Sequence, residues 1–176
     1  MGGYSGKQTL KANGTRFSIL ILTLLTIAAL TAVWMIPSTA EESVVEISTL
    51  DQLKTFRDNV NKDVSNDISV KLTANINLEG SESKQWTPIG DCVTNQYGSI
   101  TTDHSFKGKF DGQGHKISGL YISADKDYQG LFGFVSGDKA EISNLTVSGK
   151  VVADEYVGII AGVLMKGAIK NCASDG

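Results

Sequence analysis

The octapeptide HKISGLYI at 115–122 is repeated as AEISNLTV at 140–147 and as GAIKNCAS at 167–174, with aligned isoleucines 25 and 27 residues apart. A second pair of segments, QGLFGFVS at 129–136 and VGIIAGVL at 157–164, is repeated with a spacing of 28 residues. Each unit holds two short apolar strands and glycine-rich corners, without a helical pattern. This period predicts an all-β fold, a β-solenoid of about three to four coils.

One column of the alignment predicts the backbone at the corners of the coils. Gly119, Asn144 and Asn171 occupy the same position in the three repeats. Gly and Asn tolerate the left-handed backbone region at low cost, so we expect φ > 0 at all three. The next position should point inward and stack between coils, which makes its cysteine a small buried apolar residue. That position is occupied by Leu120, Leu145 and Cys172.

The glycine-rich run GKFDGQGHKISGLYI at 108–122 raises the question of a phosphate site. Its glycines Gly112, Gly114 and Gly119 lack the spacing of a dinucleotide-binding motif or a P-loop. Residues of β type follow them, whereas such phosphate sites open a helix. We therefore expect no bound nucleotide.

Asp111 and His115, with His104 nearby, could form a metal site or an acid–base pair. The alternative is a turn from Asp111 to Gly114, in which the Asp side chain accepts hydrogen bonds from the turn backbone. We favour the turn, because it explains the Asp-Gly-Gln-Gly run without a ligand. The sequence has no CxxC pair and no His/Cys cluster, so it predicts no metal and no cofactor.

Residues 17–36 form an uncharged, largely apolar block of 20 residues. A helix of that length rises about 30 Å, which is enough to cross a hydrocarbon core. Basic residues precede the block and acidic residues follow it, which predicts a cytoplasmic N-terminus and export of everything after residue 40. Segment 1–40 is either a signal peptide cleaved near 38–40 or an uncleaved transmembrane anchor. We expect a secreted or cell-surface protein in both cases.

The exported part is acidic. Removing residues 1–40 removes three basic residues and no acidic one, which leaves 13 Lys and Arg against 19 Asp and Glu, a net charge of −6. Such a surface disfavours binding to nucleic acid and to anionic lipid. Cys92 and Cys172 could pair in an oxidising exterior. The inward position of Cys172, and the place of Cys92 at the start of an insertion at 92–105, disfavour that disulfide.

The region 41–67 predicts a helix that caps the solenoid assigned to 68–176. Thr49 is a good N-cap and Gln52 completes a capping box. Apolar residues follow at helical spacing: Leu50, Leu53, Phe56 and Val60. No similar cap follows the last repeat, so we expect either a truncated chain or an open C-terminal edge that pairs with a partner.

The residues FKGKFDGQGHKISGLYI and GLFGFVSGDKAEISNLTVSGKV resemble the GLUG-motif repeats of bacterial surface proteins. Those repeats occur in adhesin-like proteins and in the non-catalytic region of IgA-specific metalloproteases. The motif itself is matched by Gly130, Leu131, Phe132 and Gly133, whereas the next unit has GIIA at 158–161. The resemblance covers about 47–175 and implies a right-handed parallel β-helix on a bacterial surface. It implies no ligand, and the zinc motif HExxH is absent.

Together these observations predict a structural or adhesive surface module without chemistry of its own. One alternative is a glycan-binding module that uses exposed aromatic side chains, with Tyr121 and Tyr128 as candidate contacts. A less favoured alternative is a polysaccharide lyase or glycosidase, because acidic residues are frequent in the predicted turns. The expected partners are a surface glycan or a protein of the host or cell surface.

Overall fold

The computed structural model describes residues 44–64 and 66–176. The apolar block 17–36, with the predictions of a cleaved signal peptide or an anchor, lies outside the described residues. Within the described ranges, no helix has the length and apolar character needed to cross a membrane.

The described part of the chain contains one helix and eleven strands. In chain order they are β1 (Val44–Ile47), α1 (Leu50–Val60), β2 (Ser69–Leu72), β3 (Ile76–Asn77), β4 (Asp91–Thr94), β5 (Ile100–His104), β6 (Lys109–Asp111), β7 (Lys116–Ser123), β8 (Phe132–Ser143), β9 (Thr146–Val152), β10 (Ala161–Lys170) and β11 (Ala173–Asp175).

The strands form two parallel sheets, as a β-solenoid requires. One sheet has the order β1-β2-β6-β8-β10 and the other has the order β11-β9-β7-β3, and neighbouring strands in both are parallel. The five-stranded sheet gives about five coils, more than the predicted three to four. The additional coil contains β1, which lies before the start of the solenoid predicted at 68–176.

The isoleucine alignment is correct for one pair and wrong for the other. Ile142 pairs with Ile169 in the five-stranded sheet, and Phe110 lies on the other side of Ile142. Ile117 instead pairs with Val147 in the four-stranded sheet. The two octapeptides look alike because inward-facing strands of both sheets show the same alternation of apolar residues. Alternation does not reveal to which sheet a strand belongs.

The predicted left-handed backbone is confirmed at Gly119, Asn144 and Asn171, where φ is 67°, 52° and 51°. The predicted shared column is wrong for Gly119. Asn171 Nδ2 donates to Asn144 Oδ1 at 3.3 Å, so these two corners are stacked. Gly119 lies within β7, and a Cβ there would be 2.4 Å from Asn77 Oδ1. Its positive φ therefore belongs to a bulge in a strand and not to the asparagine corner.

The predicted column of inward-facing residues beside these corners is likewise correct for two residues and wrong for the third. Leu145 is buried and its carbonyl accepts a hydrogen bond from Ala173 N, which places Cys172 next to it in the following coil. Cys172 is half-buried and packs against the core, in keeping with its predicted apolar role. Leu120 is buried as predicted, but it pairs with Gly149 in the four-stranded sheet.

Helix α1 replaces a strand in the first coil. Thr49 is its N-cap and forms the predicted capping box with Gln52. In the chain the helix follows β1 and precedes β2. In the next coil the corresponding place, after β2, is occupied by the strand β3. Phe56 contacts Phe106 at 5.8 Å and Phe110 at 6.0 Å between ring centroids. The apolar side of the helix is thus buried against the aromatic core, as the spacing of its apolar residues predicts.

The insertion predicted at 92–105 is an antiparallel hairpin. Strands β4 and β5 pair from Asp91 with His104 to Thr94 with Ile100. Side chains near its tip are exposed, including Tyr97 at 82%. The hairpin leaves the solenoid between two coils and forms one wall of the cleft described below.

Candidate binding site

The motif tetrad at 130–133 is used for packing. Leu131 and Phe132 are fully buried in the core. A Cβ on Gly130 would lie 2.4 Å from Gly158 O, and one on Gly133 would lie 2.5 Å from Gly90 O. Both glycines therefore allow close approach of neighbouring coils, and the tetrad presents no side chain to a ligand.

The Asp-Gly-Gln-Gly run is a turn, which confirms the predicted side-chain hydrogen bond. Asp111 Oδ1 accepts from Gln113 N at 2.9 Å, and His115 N donates to Gly112 O at 2.8 Å. Gln113 and Gly114, between the two bonded residues, have φ of 51° and 78°. Two successive residues with φ > 0 match a turn of type I′, which explains the second glycine.

Asp111 also belongs to the stack of corners. Its Oδ1 accepts from Asn144 Nδ2 at 2.9 Å, and its Oδ2 accepts from the Gln113 side chain. Partial burial tends to raise the pKa of Asp111, but these hydrogen bonds outweigh it and hold the pKa below its usual value. The carboxylate is therefore ionised at neutral pH, and its oxygens already accept hydrogen bonds from Gln113 and Asn144.

The two histidines do not join Asp111 in a site. His104 Nδ1 lies 2.8 Å from Asp91 Oδ1 at the base of the hairpin. His115 continues the turn into β7 through its backbone. Among the residues that the structure describes, no three His, Cys, Asp or Glu side chains are grouped as metal ligands.

Tyr121 lies on the outward phase of β7, between the buried Leu120 and Ile122. It pairs with Lys150 in the neighbouring strand, and Lys150 Nζ is 5.9 Å from its ring centroid. The ring is half-buried, since the lysine covers part of it.

Tyr128 is part of an aromatic stack with Tyr156. Their ring centroids are 4.9 Å apart and the planes differ by 9°. Phe134 meets Tyr128 edge-on at 5.7 Å. Tyr156 remains 52% exposed, and Tyr128 is half-buried. We call this pair, which joins two successive coils, the tyrosine stack.

A cleft of about 530 Å³ lies beside Tyr128, between the hairpin and the turn before β8. Its polar side chains include carboxylates, amides and hydroxyls. The lining residues are Asn61, Gln85, Trp86, Thr87, Pro88, Gly90, Asp91, Cys92, Val93, Thr94, Ile122, Ala124, Lys126, Asp127, Tyr128 and Gln129.

Two side chains of the cleft, Tyr128 and Cys92, have a raised pKa and so keep their protons at neutral pH. Partial burial, and after it the nearby Cys92 and Tyr156, raise the pKa of Tyr128. Partial burial and Asp91 likewise raise the pKa of the Cys92 thiol. The Tyr128 hydroxyl can therefore donate a hydrogen bond, and the Cys92 thiol is a poor nucleophile. Cys92 and Cys172 are both free, so the disulfide that their positions disfavour is not formed.

The sequence contained a signal for the tyrosine stack. Tyr128 and Tyr156 are 28 residues apart, the same spacing as Gly130 and Gly158. The isolated bridge between Gln129 and Val157 confirms that this spacing is one coil. The sequence does not show that both tyrosines have φ > 0, because bulky residues rarely adopt that backbone region.

The chain has two relatives of which it spans only a small part. It is 29% identical to halomucin of Haloquadratum walsbyi over 155 residues, which cover 84% of this chain and 2% of halomucin. It is 31% identical to a Gly-rich membrane protein of Evansella cellulosilytica over 80 residues, which cover 45% of this chain and 8% of that protein. No family model matches the chain, and no solved structure matches it.

Proposed function

We propose that this protein is an exported structural or adhesive module of the cell surface, built from GLUG-type repeats and without catalytic activity. The observation that carries the proposal is the use of the motif residues. Gly130 and Gly133 allow coils to approach, and Leu131 and Phe132 fill the core. A repeat whose distinctive residues all serve packing is suited to building an extended scaffold.

A right-handed parallel β-helix is the form of solenoid that we propose. Support comes from the parallel pairing of β6 with β8 and of β7 with β9. Crossover connections between parallel strands of one sheet are right-handed in about 98% of cases. The same handedness is implied by the resemblance to GLUG-type repeats.

The proposed location is the outer surface of the cell. It is supported by the uncharged block at 17–36 and by the name of the relative from Evansella cellulosilytica, a membrane protein. A C-terminal epitope tag should become accessible to added protease in intact cells. Protection of the tag in intact cells, with cleavage after lysis, would refute export.

A non-catalytic role is favoured over a polysaccharide lyase or glycosidase. A glycosidase needs a general acid whose pKa is raised, whereas hydrogen bonds from Gln113 and Asn144 lower the pKa of Asp111. We expect no depolymerisation of pectate or of neutral polysaccharides by the purified protein. Activity that disappears in Asp111→Asn would overturn the structural proposal.

The open edge of β10 is the surface that we propose for pairing with another protein. No strand in the described part lies beyond β10 in its sheet, and an edge of this kind offers free backbone donors and acceptors. Leu164, Met165 and Ile169 are 38%, 57% and 38% exposed there. Light scattering of wild type and Met165→Lys should show association in the wild type and less in the variant.

Glycan binding is a second candidate function, and the tyrosine stack favours it. Stacked aromatic rings beside a cleft with carboxylates and amides are a suitable surface for sugar rings, which have an apolar face and polar edges. This function is compatible with an adhesive module. Retention of the protein by immobilised polysaccharide is the measurement that separates it from a purely structural role.

A further inference from the structure

We propose that the tyrosine stack of Tyr128 and Tyr156, with the adjoining cleft, binds neutral polysaccharide chains. This inference rests on the second candidate function and assigns it to a particular surface. Four observations support it: the backbone of the two tyrosines, the shape of the surface, the chemistry of the cleft wall, and the charge around it.

The backbone at both tyrosines is strained, and strain of this kind clusters at ligand sites. Tyr128 and Tyr156 have φ of 60° and 57°, in the left-handed region. For bulky residues this conformation costs about 1–3 kcal/mol each. At the corners of the asparagine column the chain uses Asn144 and Asn171, which adopt the same region cheaply. The chain therefore places its costliest residues at two successive corners.

Stacking alone does not offset that cost. An aromatic pair contributes about 0.5–1.5 kcal/mol beyond the burial of its area. Two strained corners together cost about 2–6 kcal/mol on the same scale. Tyr156 is also 52% exposed, so about half of its surface is open to a partner. A partner that covers the exposed ring would add the stabilisation that stacking does not supply.

The shape of the surface fits a sugar chain. Tyr128 lines the cleft, and Tyr156 of the next coil stacks on its ring with the two planes nearly parallel. The axial C–H groups of a pyranose form an apolar face that packs on an aromatic ring. A volume of about 530 Å³ lies within the range of about 300–1,000 Å³ that small-ligand sites occupy. The site therefore has room for sugar units next to the stack.

Side chains of the cleft wall have donor and acceptor positions that their hydrogen bonds within the protein leave unused. Asp127 Oδ1 accepts from Glu155 N at 3.1 Å, and its other oxygen adds further acceptor sites. Gln129 Nε2 donates to Asp127 O at 2.7 Å, which leaves its amide oxygen as an acceptor. The Tyr128 hydroxyl is protonated and can donate. Acceptors and a donor around one aromatic surface match the hydroxyl groups of a sugar.

The charge of the site selects against acidic polysaccharides. Asp91 and Asp127 line the cleft, and Lys126 is the lysine among the residues around it. The exported part of the chain has a net charge of −6, counted from the sequence. Uronate or sulfate groups would be repelled by this surface. A neutral chain has no such penalty, and the proposal therefore commits to neutral polysaccharide.

Native affinity electrophoresis tests the site directly. The probes are a soluble β-glucan, a mannan and a xylan as neutral chains, with pectate as the acidic chain. We expect at least one neutral chain to retard the wild type and pectate not to. Tyr128→Leu and Tyr156→Asn should weaken that retardation at least tenfold, and Tyr128→Phe, which keeps the ring but loses the hydroxyl donor, should weaken it less. Tyr97→Leu is the matched control, since Tyr97 is exposed on the hairpin outside the stack and the cleft lining, and it should bind as wild type.

Thermal unfolding of the same variants separates binding from folding. Tyr156→Asn relieves a strained corner, so its melting temperature should equal or exceed that of the wild type while binding is lost. Unchanged retardation of Tyr128→Leu and Tyr156→Asn would overturn this site but leave glycan binding intact. A wild type that no neutral chain retards would overturn both the site and the second candidate function. The proposed surface scaffold would stand in either case.

Discussion

Asn144 Nδ2 donates a 2.9 Å hydrogen bond to Asp111 Oδ1, and this bond joins the corners of two successive coils. Asn171 extends the contact to a third coil through its bond to Asn144. Both asparagines have φ near 50°. Asparagine is thus selected at these corners for two reasons at once: it tolerates the backbone, and it offers a donor and an acceptor to its neighbours.

We predict that Asn144→Ala destabilises the protein more than Asn144→Gly. Both variants lose the bond to Asp111, which contributes about 1.5–3 kcal/mol because the acceptor is charged. Alanine also pays about 1 kcal/mol or more for φ > 0, whereas glycine does not. Urea unfolding at pH 7 measures the difference. Equal loss in the two variants would show that the backbone does not contribute.

Asp111 should make the protein more stable at neutral pH than in acid. Its pKa is lower in the folded state than in the unfolded state, so the carboxylate stabilises the fold fully above the unfolded pKa of about 4. That contribution is lost as the pH falls through the folded pKa. Asp111→Asn should therefore show a smaller decrease in urea midpoint between pH 6 and pH 3. A decrease as large as that of the wild type would assign the acid sensitivity to other carboxylates.

The helix was predictable because its signals are local. The bond from Gln52 N to Thr49 Oγ1 and the spacing of the apolar stripe depend on residues one turn apart. The coil alignment was only half predictable. Ile142 and Ile169 are related by one coil, whereas Ile117 belongs to the other sheet. Both sheets bury alternate residues, so the pattern is equally consistent with either pairing.

The candidate site was harder to predict than the fold. Tyr128 is a candidate contact from the sequence, and its spacing from Tyr156 repeats that of Gly130 and Gly158. The stack depends on a backbone conformation that tyrosine rarely adopts. The cleft depends on the direction in which the hairpin leaves the solenoid, and nothing in the sequence of 91–104 indicates that direction.

Burial along one column should determine the cost of truncating an isoleucine. Ile142 and Ile169 are neighbours in the same register, but Ile142 is fully buried and Ile169 is 38% exposed. We expect Ile142→Ala to cost about 2–5 kcal/mol. Ile169→Ala should cost less than about 1 kcal/mol in the monomer, because this partly exposed side chain loses fewer packing contacts than Ile142. Chemical denaturation measures both. An equally large cost for Ile169→Ala would indicate that the open edge is covered in solution.

The two residues of the capping box, Thr49 and Gln52, should be energetically coupled. Thr49 Oγ1 accepts from Gln52 N, and the Gln52 side chain accepts from Thr49 N. Thr49→Ala should cost about 1 kcal/mol. In a double-mutant cycle with Gln52→Ala, the double variant should lose less than the sum of the single variants. Strict additivity would mean that the two residues act independently.

Gly130→Ala should loosen the last coil. A Cβ at this position would lie 2.4 Å from Gly158 O and 2.8 Å from Phe132 O, and both contacts are backbone atoms that cannot rotate away. Overpacking of this kind costs about 1–3 kcal/mol, and the strain falls on the turn that leads into β10. Limited trypsin digestion should then cut faster at Lys166 and Lys170 than in the wild type. Gly98→Ala is the control, since a Cβ there meets nothing within 4 Å and the only cost of the substitution is the positive φ. Equal digestion rates in Gly130→Ala and Gly98→Ala would show that the coils can separate slightly without loss, and that the glycine is not required for their approach.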